Sequence, residues 1–339
     1  MNSPHILVID KDESSIKYID KILKSDHEDW KISDPHSDKE PNQMETLSPC
    51  VVFIASDIQN KEHTSTLISK EYPSSIRVLI EKTKNNEYPL KESKKFHYAI
   101  KYPFNENSLF ELLTRTHRVT KKTIQNDIKE LILNSSFISE QFSTYKEITR
   151  ELDSKFPDIK VISETIKRDQ ALMSYIIRLA NSPYFNFITQ TSDIPICIMR
   201  LGLDTIKQIV FVHGTQQICS DNKDERYKTI QQESKEVTGL IGGYCDKNNI
   251  SGITRQKAIV SGLLHNIGKL IHHHIAKKHS IQNLTEENSI SVGSFFLELW
   301  GFEYEIIDAI ENQRKMDPPN GQNQISYILN AVIKELNRH

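Results

Sequence analysis

The spacing of apolar residues changes near residue 120, and this change constrains the fold more than any other feature. Before it, short apolar runs alternate with amphipathic helical stretches, which predicts βα units and a parallel sheet with helices on both faces. After it, apolar residues recur at helical spacing in one segment after another, without β alternation. We therefore predict a multidomain protein: an α/β doubly wound parallel sheet followed by an all-α helical bundle.

The same change gives the predicted domain boundaries. The α/β domain is expected at 1–120, a helical linker at 121–135 and the helical bundle at 136–335. No proline or glycine occurs between Pro103 and Pro157, which is typical of a long or twice-broken helix across a join. At 339 residues, each domain is long enough to bury its own core.

Composition argues against several classes of partner. The chain has 43 Lys plus Arg and 45 Asp plus Glu, a formal charge of −2, so it has no general attraction to nucleic acid or to anionic membranes. No apolar run approaches the ~20 residues that a membrane span needs, and the N-terminus lacks a signal-peptide pattern. The four cysteines form no CxxC pair, which favours reduced thiols. We expect a cytoplasmic protein with no membrane partner and no nucleic-acid partner.

Polar residues follow the predicted strands of the first domain. In a parallel sheet the functional crevice lies at the carboxyl ends of the strands, where Asp10, Asp57 and Lys101 are found. These three residues therefore define a predicted pocket. The predicted strands are His5–Asp10, Trp30–Ser33, Cys50–Ala55, Ile76–Ile80 and Tyr98–Ile100.

This layout resembles the receiver domain of bacterial response regulators. The resemblance implies that Asp57 is the phospho-accepting carboxylate and that Lys101 is the lysine that precedes a proline, although Tyr102 is inserted before Pro103. Receiver domains also carry an acidic pair after the first strand and a hydroxyl after the fourth.

Both of those further features are altered in this sequence. Asp10 is followed by Lys11, and Asp12 lies one residue further on. Thr83 supplies the hydroxyl only if the register shifts by one residue; otherwise Lys82 takes its place.

Two interpretations of Asp57 remain open. Phosphoryl transfer to a carboxylate needs Mg²⁺ to neutralise the phosphoryl oxygens, and Lys11 would put a positive charge where a metal ligand is expected. Asp57 is then either a strand-end acid without phosphorylation or a phospho-acceptor with impaired metal affinity. A lysine in this pocket could also partly mimic the missing cation and lock one state. No cofactor is predicted beyond weak Mg²⁺ binding here.

Three stretches of the second domain carry a second resemblance. They are Arg178–Phe185 (Arg-Leu-Ala-Asn-Ser-Pro-Tyr-Phe), Ile198–Gly202 (Ile-Met-Arg-Leu-Gly) and Gly262–Gly268 (Gly-Leu-Leu-His-Asn-Ile-Gly). In this order and spacing they resemble the HDOD domain, a helical relative of the HD phosphohydrolases that often follows a receiver in bacterial signalling proteins.

The residues that would bind metal in HD hydrolases are altered here. Those enzymes use a histidine on an earlier helix, an adjacent His-Asp pair and a later Asp. In this sequence Glu233 stands at the earlier position, the pair reads His265-Asn266, and the later stretches offer Ser289 and Gln313. An amide is a weaker ligand than a carboxylate, and one imidazole cannot hold a catalytic metal. The sequence therefore predicts no metal site, no catalytic residues and no enzyme activity.

Three smaller features have structural interpretations. Asn181 and Ser182 are expected to terminate a helix through local backbone bonds. The triplet His272–His274 cannot converge on one ion from a helix and is expected to face solvent. Trp300 and its apolar neighbours are expected to belong to the core. These neighbours are Phe295, Phe296, Leu299 and Phe302.

Together the resemblances imply a signal-transduction protein of a two-component system or phosphorelay. A receiver-like domain would regulate, or dock on, an HDOD output module that binds an unidentified signalling protein. A histidine kinase and a cyclic-dinucleotide enzyme are the kinds of partner that they imply. Two alternatives stay open. One is a metal-dependent phosphohydrolase or cyclic-dinucleotide phosphodiesterase that uses Glu233, His265 and an unidentified acid. The other is a non-catalytic nucleotide sensor.

Overall fold

The computed structural model describes most of the chain as two units. The described residues are 4–11, 14–26, 30–33, 49–58, 61–82, 96–134, 143–152, 154, 156–185, 187–219, 224–279, 285–315 and 323–336. Contacts divide the chain into Met1–Ser139 and Glu140–His339. Two residues of the predicted pocket, Asp12 and Thr83, lie outside the described residues.

The first unit contains a five-stranded sheet in the order β2-β1-β3-β4-β5, and every pairing is parallel. Its strands are β1 (His5–Ile9), β2 (Lys31–Ser33), β3 (Val51–Ala55), β4 (Ile76–Glu81) and β5 (Tyr98–Lys101), and its described helices are α1 (Ser14–Asp26), α2 (Lys61–Glu71), α3 (Glu106–Lys121) and α4 (Asn126–Asn134). The apolar runs form the central strands because a parallel sheet is covered on both faces, and every residue of β3 is buried. The predicted α/β class is confirmed.

Successive side chains along each strand point to opposite faces of the sheet. Leu7, Val52 and Ile54 form one cluster with Ile68 of α2. Helix α1 packs instead against α3. Helix α3 starts at Asn105, whose side chain accepts a hydrogen bond from the Ser108 amide at 3.3 Å, as its capping pattern predicts.

Helix α4 packs against the amino-terminal end of β4. The Arg77 guanidinium is buried and donates to the Leu133 carbonyl at 2.6 Å and to Asn134 Oδ1 at 2.9 Å. Burial lowers the pKa of Arg77 to about 10, so the group is charged at neutral pH. Helix α4, which falls within the segment predicted to be a linker, is therefore held to the first unit by a charged, hydrogen-bonded contact.

The second unit is helical throughout its described residues, which confirms the predicted all-α class. Its helices are α5 (Ser143–Leu152), α6 (Ile159–Arg168), α7 (Gln170–Ala180), α8 (Ile194–Leu201), α9 (Leu203–Cys219), α10 (Glu225–Lys247), α11 (Gly252–Leu264), α12 (Ile267–His279), α13 (Glu286–Leu299), α14 (Tyr304–Glu311) and α15 (Gln324–Leu336). The expected aromatic core is confirmed: Phe211 lies 4.7 Å from Phe302 and 5.3 Å from Trp300 between ring centroids.

The periodicity of 255–278 predicts one helix, but the structure has two, α11 and α12, separated at His265–Asn266. The carbonyl of His265 accepts a hydrogen bond from Gln313 Nε2 at 3.2 Å, which occupies an oxygen that a continuous helix would use in its own ladder. The break is thus set by a side chain 48 residues away along the chain, which apolar spacing does not report.

Helices α12 and α13 cross at two glycines. A Cβ atom placed on Gly268 would lie 1.7 Å from the carbonyl oxygen of Ser289 and 2.7 Å from the amide nitrogen of Gly293. Only glycine permits this backbone approach. The crossing places Ser289 next to the break at His265–Asn266.

Candidate functional sites

The carboxyl ends of the strands in the first unit bring together Asp10, Asp57 and Lys82. The Lys82 ammonium donates to Asp10 Oδ1 and lies 3.8 Å from Asp57 Oδ2. The Asp10 side chain is 0% exposed and the Lys82 side chain 9%. The pocket therefore contains two carboxylates with a buried lysine between them.

Other residues predicted for this pocket take different places. Lys101 ends β5 opposite Glu81 in the sheet and is exposed. Lys11 is also exposed, so the lysine that meets the carboxylates is Lys82, which directly follows β4. Sequence reasoning assigned the substitute charge to Lys11 because that residue is adjacent to Asp10 along the chain.

The receiver resemblance implies Mg²⁺ in this pocket, and the residues that the structure describes there do not fit it. Mg²⁺ requires near-octahedral oxygen ligands at roughly 2.0–2.1 Å. Asp10 instead accepts a charge-assisted hydrogen bond from Lys82, and the buried ammonium would repel a divalent cation at the same carboxylate.

The second unit contains a cavity of about 210 Å³ beside the break between α11 and α12. Its lining comes from α10, the break itself, α12, α13, the turn after α14, and α15. The lining residues are Glu233, Val237, His265, Asn266, Lys269, Ser289, Ile290, Gln313, Arg314, Ile333 and Leu336. The residues singled out from the sequence at the altered HD positions all line this one cavity.

The Glu233 carboxylate is paired with protein groups within the cavity. Its Oε2 atom accepts from Asn266 Nδ2 at 2.9 Å and from Lys269 Nζ at 3.0 Å. The side chains of Lys269 and Glu233 are 28% and 40% exposed, so water screens this pair. Two of the changed residues at the altered HD positions, Glu233 and Asn266, thus bond to each other.

His265 is buried, and burial lowers its pKa to about 4. Its Nδ1 atom donates to the Gly262 carbonyl at 2.8 Å, since a carbonyl can only accept. The imidazole is therefore neutral at physiological pH, and its Nε2 atom carries a lone pair that can accept a hydrogen bond or ligate a metal.

The described residues of the cavity do not supply the ligands that a catalytic metal needs. Among the described residues, no group of three or more His, Cys, Asp or Glu side chains could hold a metal ion. A catalytic zinc-type site uses about three protein ligands and an open position. His265 and Glu233 provide two such side chains, and Glu233 is already paired with Lys269.

Asn330 contacts the turn after α14, which brings Gln313 to the cavity. Its Nδ2 atom lies within hydrogen-bond distance of three carbonyls, those of Asn312 (3.2 Å), Gln313 (3.1 Å) and Lys315 (2.8 Å). It thus holds the turn that follows α14 in place. The sequence gives no signal for this role, because an asparagine on a helix has many uses.

Comparison with known proteins identifies the second unit. Residues 139–316 match the HDOD domain family. The chain belongs to this family. The fold of a solved structure from Shewanella amazonensis SB2B, described as a candidate metal-dependent phosphohydrolase, is similar, with a TM-score of 0.51 and 18% identity over 67% of this chain and 84% of that one. Likeness at this identity concerns the fold alone.

Two curated relatives match smaller parts of the chain. The uncharacterized protein YuxH of Bacillus subtilis (strain 168) is 26% identical over 100 residues, 30% of this chain and 24% of that protein. An uncharacterized protein of Treponema pallidum (strain Nichols) is 25% identical over 125 residues, 37% of this chain and 24% of that protein. The matched region spans about a quarter of the length of each relative. Within the described residues, no helix is both long and apolar enough to cross a membrane.

The Asn-Ser-Pro stretch of the HDOD domain has a structural role. Asn181 ends α7 and exchanges two hydrogen bonds with the Thr191 backbone, at 2.7 and 2.9 Å, while Ser182 donates to the Leu179 carbonyl at 2.6 Å. The expected helix termination is confirmed. Arg255, which sequence reasoning missed, holds the same loop by donating to the carbonyls of Tyr184 and Pro183.

The histidine triplet of the HDOD domain departs from expectation. His272 is 9% exposed, and burial lowers its pKa to about 4. His273 Nε2 lies 2.6 Å from Asp224 Oδ2, at the N-cap of α10. The prediction that the triplet faces solvent is wrong for His272, because α12 is packed within the bundle rather than on its surface.

Proposed function

We propose that this chain is a non-catalytic signal-transduction protein in which the receiver-like unit regulates, or docks on, an HDOD output module that binds a partner protein. The observation that carries the proposal is the bonding of Glu233 to Asn266 and Lys269. A lysine and an amide donate to the Glu233 oxygen, which stands where the HD resemblance implies a metal-ligating histidine. The Glu233 oxygen is therefore engaged by protein groups at the place where the resemblance implies a metal ligand.

Signalling by this route requires two states that the input biases. An input that changes the packing or charge of the receiver-like unit would alter a surface of the HDOD domain that the partner recognises. A bias of a few kcal/mol between the states is sufficient for such a switch. Two observations support this arrangement: the match of residues 139–316 to the HDOD family and the receiver-like strand order of the first unit.

Two measurements on the full chain test the proposal. Metal analysis of the purified protein, followed by assays with cyclic dinucleotides, is expected to give no stoichiometric metal and no turnover. Stoichiometric manganese or iron, with hydrolysis abolished in His265→Ala, would overturn the proposal in favour of a phosphohydrolase. Affinity capture from the native organism is expected to recover a specific signalling protein, and recovery of none would count against partner binding.

The cavity favours a second candidate, a non-catalytic nucleotide sensor. Lys269 and Arg314 present cationic groups at its lining, and Val237, Ile333 and Leu336 present apolar surface. A phosphate and a base need this combination of surfaces. Equilibrium dialysis with mononucleotides and cyclic dinucleotides would show saturable binding without turnover, weakened in Arg314→Ala. Lack of binding by all of them would exclude this candidate for those ligands.

A further inference from the structure

The path of the chain after β4 directs Lys82 across the pocket of the receiver-like unit. The Lys82 amide donates to the Ser56 hydroxyl at 3.0 Å, immediately before Asp57, which brings the end of β4 close to the end of β3. The Lys82 ammonium reaches from there to Asp10 at the end of β1 and lies 5.6 Å from the centre of the Tyr102 ring. Residues that follow three other strands, β1, β3 and β5, thus lie around the Lys82 ammonium.

Burial makes this charge difficult to displace. With Asp10 at 0% exposure and Lys82 at 9%, water and salt screen their attraction far less than at a surface. A divalent cation that took Asp10 from Lys82 would leave a buried ammonium without its nearest counter-charge, which is costly. Only the second carboxylate, Asp57, is partly exposed, at 33%.

We propose that Lys82 is a resident cation that takes the place of the divalent ion in the receiver-like pocket, so that the pocket holds its ion-paired state without Mg²⁺ and without phosphoryl transfer to Asp57. The lysine supplies one positive charge where a receiver domain uses two, and it is covalently attached. Lys82 then determines the state of the receiver-like pocket. Any influence of this unit on the HDOD domain comes from an input other than phosphorylation of Asp57. This inference deepens the regulatory part of the proposed function and rests on it only there.

Manganese binding to the full chain tests the proposal, because paramagnetic resonance distinguishes free from bound Mn²⁺ and Mg²⁺ can then be used as a competitor. The variants are Lys82→Thr, which removes the cation and restores a hydroxyl, and the matched control Lys101→Thr, which removes an exposed lysine from the next strand end. Asp57→Asn in each background assigns any binding to this pocket rather than to the HDOD domain.

The wild type and Lys101→Thr are expected to show no Asp57-dependent binding at millimolar metal. Lys82→Thr is expected to bind at least tenfold more tightly than the wild type, to bind beryllofluoride in the presence of Mg²⁺, and to lose both on addition of Asp57→Asn. Asp57-dependent binding in the wild type as tight as in Lys82→Thr would overturn the proposal. So would a folded Lys82→Thr protein that gains no affinity.

A fallback variant covers the case in which Lys82→Thr does not fold. Lys82→Gln keeps most of the length of the side chain and a hydrogen-bond donor without the charge, and the same gain is expected. If neither variant folds, labelling of the wild type with acetyl phosphate decides: no label at Asp57 supports the resident cation, and labelling at Asp57 contradicts it. Partner capture is independent of all these readouts, so failure here leaves the proposed function standing.

Discussion

Each unit pairs a lysine ammonium with an acidic side chain at a position where its resemblance implies a metal ion, but the two lysines differ in burial. In the receiver-like unit, Lys82 and Asp10 are 9% and 0% exposed. In the HDOD domain, Lys269 and Glu233 are 28% and 40% exposed. Both pairs join an ammonium to a carboxylate, but the buried pair is screened by water far less than the exposed one.

This difference in burial indicates which of the two ion pairs contributes more to the stability of its unit. Breaking a buried ion pair leaves an uncompensated charge that the interior cannot solvate, whereas water re-solvates the members of an exposed pair. The receiver-like unit is therefore expected to depend on Lys82 for its stability. Removal of Lys269 is therefore expected to cost little stability, because water can solvate the partly exposed Glu233 carboxylate.

The largest expected effect comes from removing the buried lysine. Lys82→Met should lower the free energy of unfolding of the receiver-like unit by about 3–5 kcal/mol, because it breaks the buried ion pair between Lys82 and Asp10. The chain has two tryptophans, Trp30 and Trp300, one in each unit. Urea unfolding followed by fluorescence in a Trp300→Phe background therefore reports this unit alone. Lys101→Met is the control, with an expected change within about 0.5 kcal/mol; equal effects of the two substitutions would refute the distinction.

Acid should affect the HDOD cavity through His265. Its folded pKa of about 4 lies below the ordinary value of 6.5, so its neutral form stabilises the fold fully above pH 6.5, and this stability is lost as the pH falls towards 4. The shift corresponds to about 3 kcal/mol. Unfolding of a Trp30→Phe protein, followed through Trp300 across this pH range, measures it. His265→Gln should reduce the slope of the profile over that window and leave the part due to the buried His272, and an unchanged profile would show that His265 does not contribute.

A helix crossing, rather than an ion pair, should dominate the stability of the HDOD cavity. Gly268→Ala should cost about 1–3 kcal/mol because the added methyl meets backbone atoms that cannot rotate away. Gly243→Ala, in a helix with nothing within 4 Å of the new atom, should instead stabilise the protein by about 0.5–1 kcal/mol. Thermal unfolding of both variants compares them, and a loss in Gly243→Ala as large as that in Gly268→Ala would remove the crossing as the cause.

The smallest expected effect belongs to the exposed lysine. Lys269→Met should change the unfolding free energy of the HDOD domain by only about 0.2–1 kcal/mol, and less at high salt. Urea unfolding in the Trp30→Phe background at two salt concentrations measures it. A loss comparable to that of Lys82→Met would show that burial does not separate the two pairs.

The features that apolar spacing encodes were predictable from the sequence. The five strands and the α/β class follow from buried runs ending in polar residues, and the bundle follows from helical periodicity together with the Leu-Ala-Asn-Ser stretch. The altered HD positions were also predictable, because Glu233, His265 and Asn266 stand at recognisable places along the chain.

Contacts between distant residues were not predictable in the same way. The break at His265–Asn266 depends on Gln313, and the role of Arg255 depends on a loop 71 residues away. Lys82 reaches a carboxylate 72 residues distant, while sequence reasoning chose the adjacent Lys11. Spacing along one element reports which side is buried, but it does not report what a long polar side chain meets across the fold.

The contact between Arg77 and the end of α4 bears on how this chain can be recombined. A receiver-like module transplanted with residues 1–120 would lose the Leu133 carbonyl and the Asn134 side chain, to which the buried guanidinium donates. The exchangeable module therefore ends after residue 134, and a chimaera joined there would carry its own closing helix.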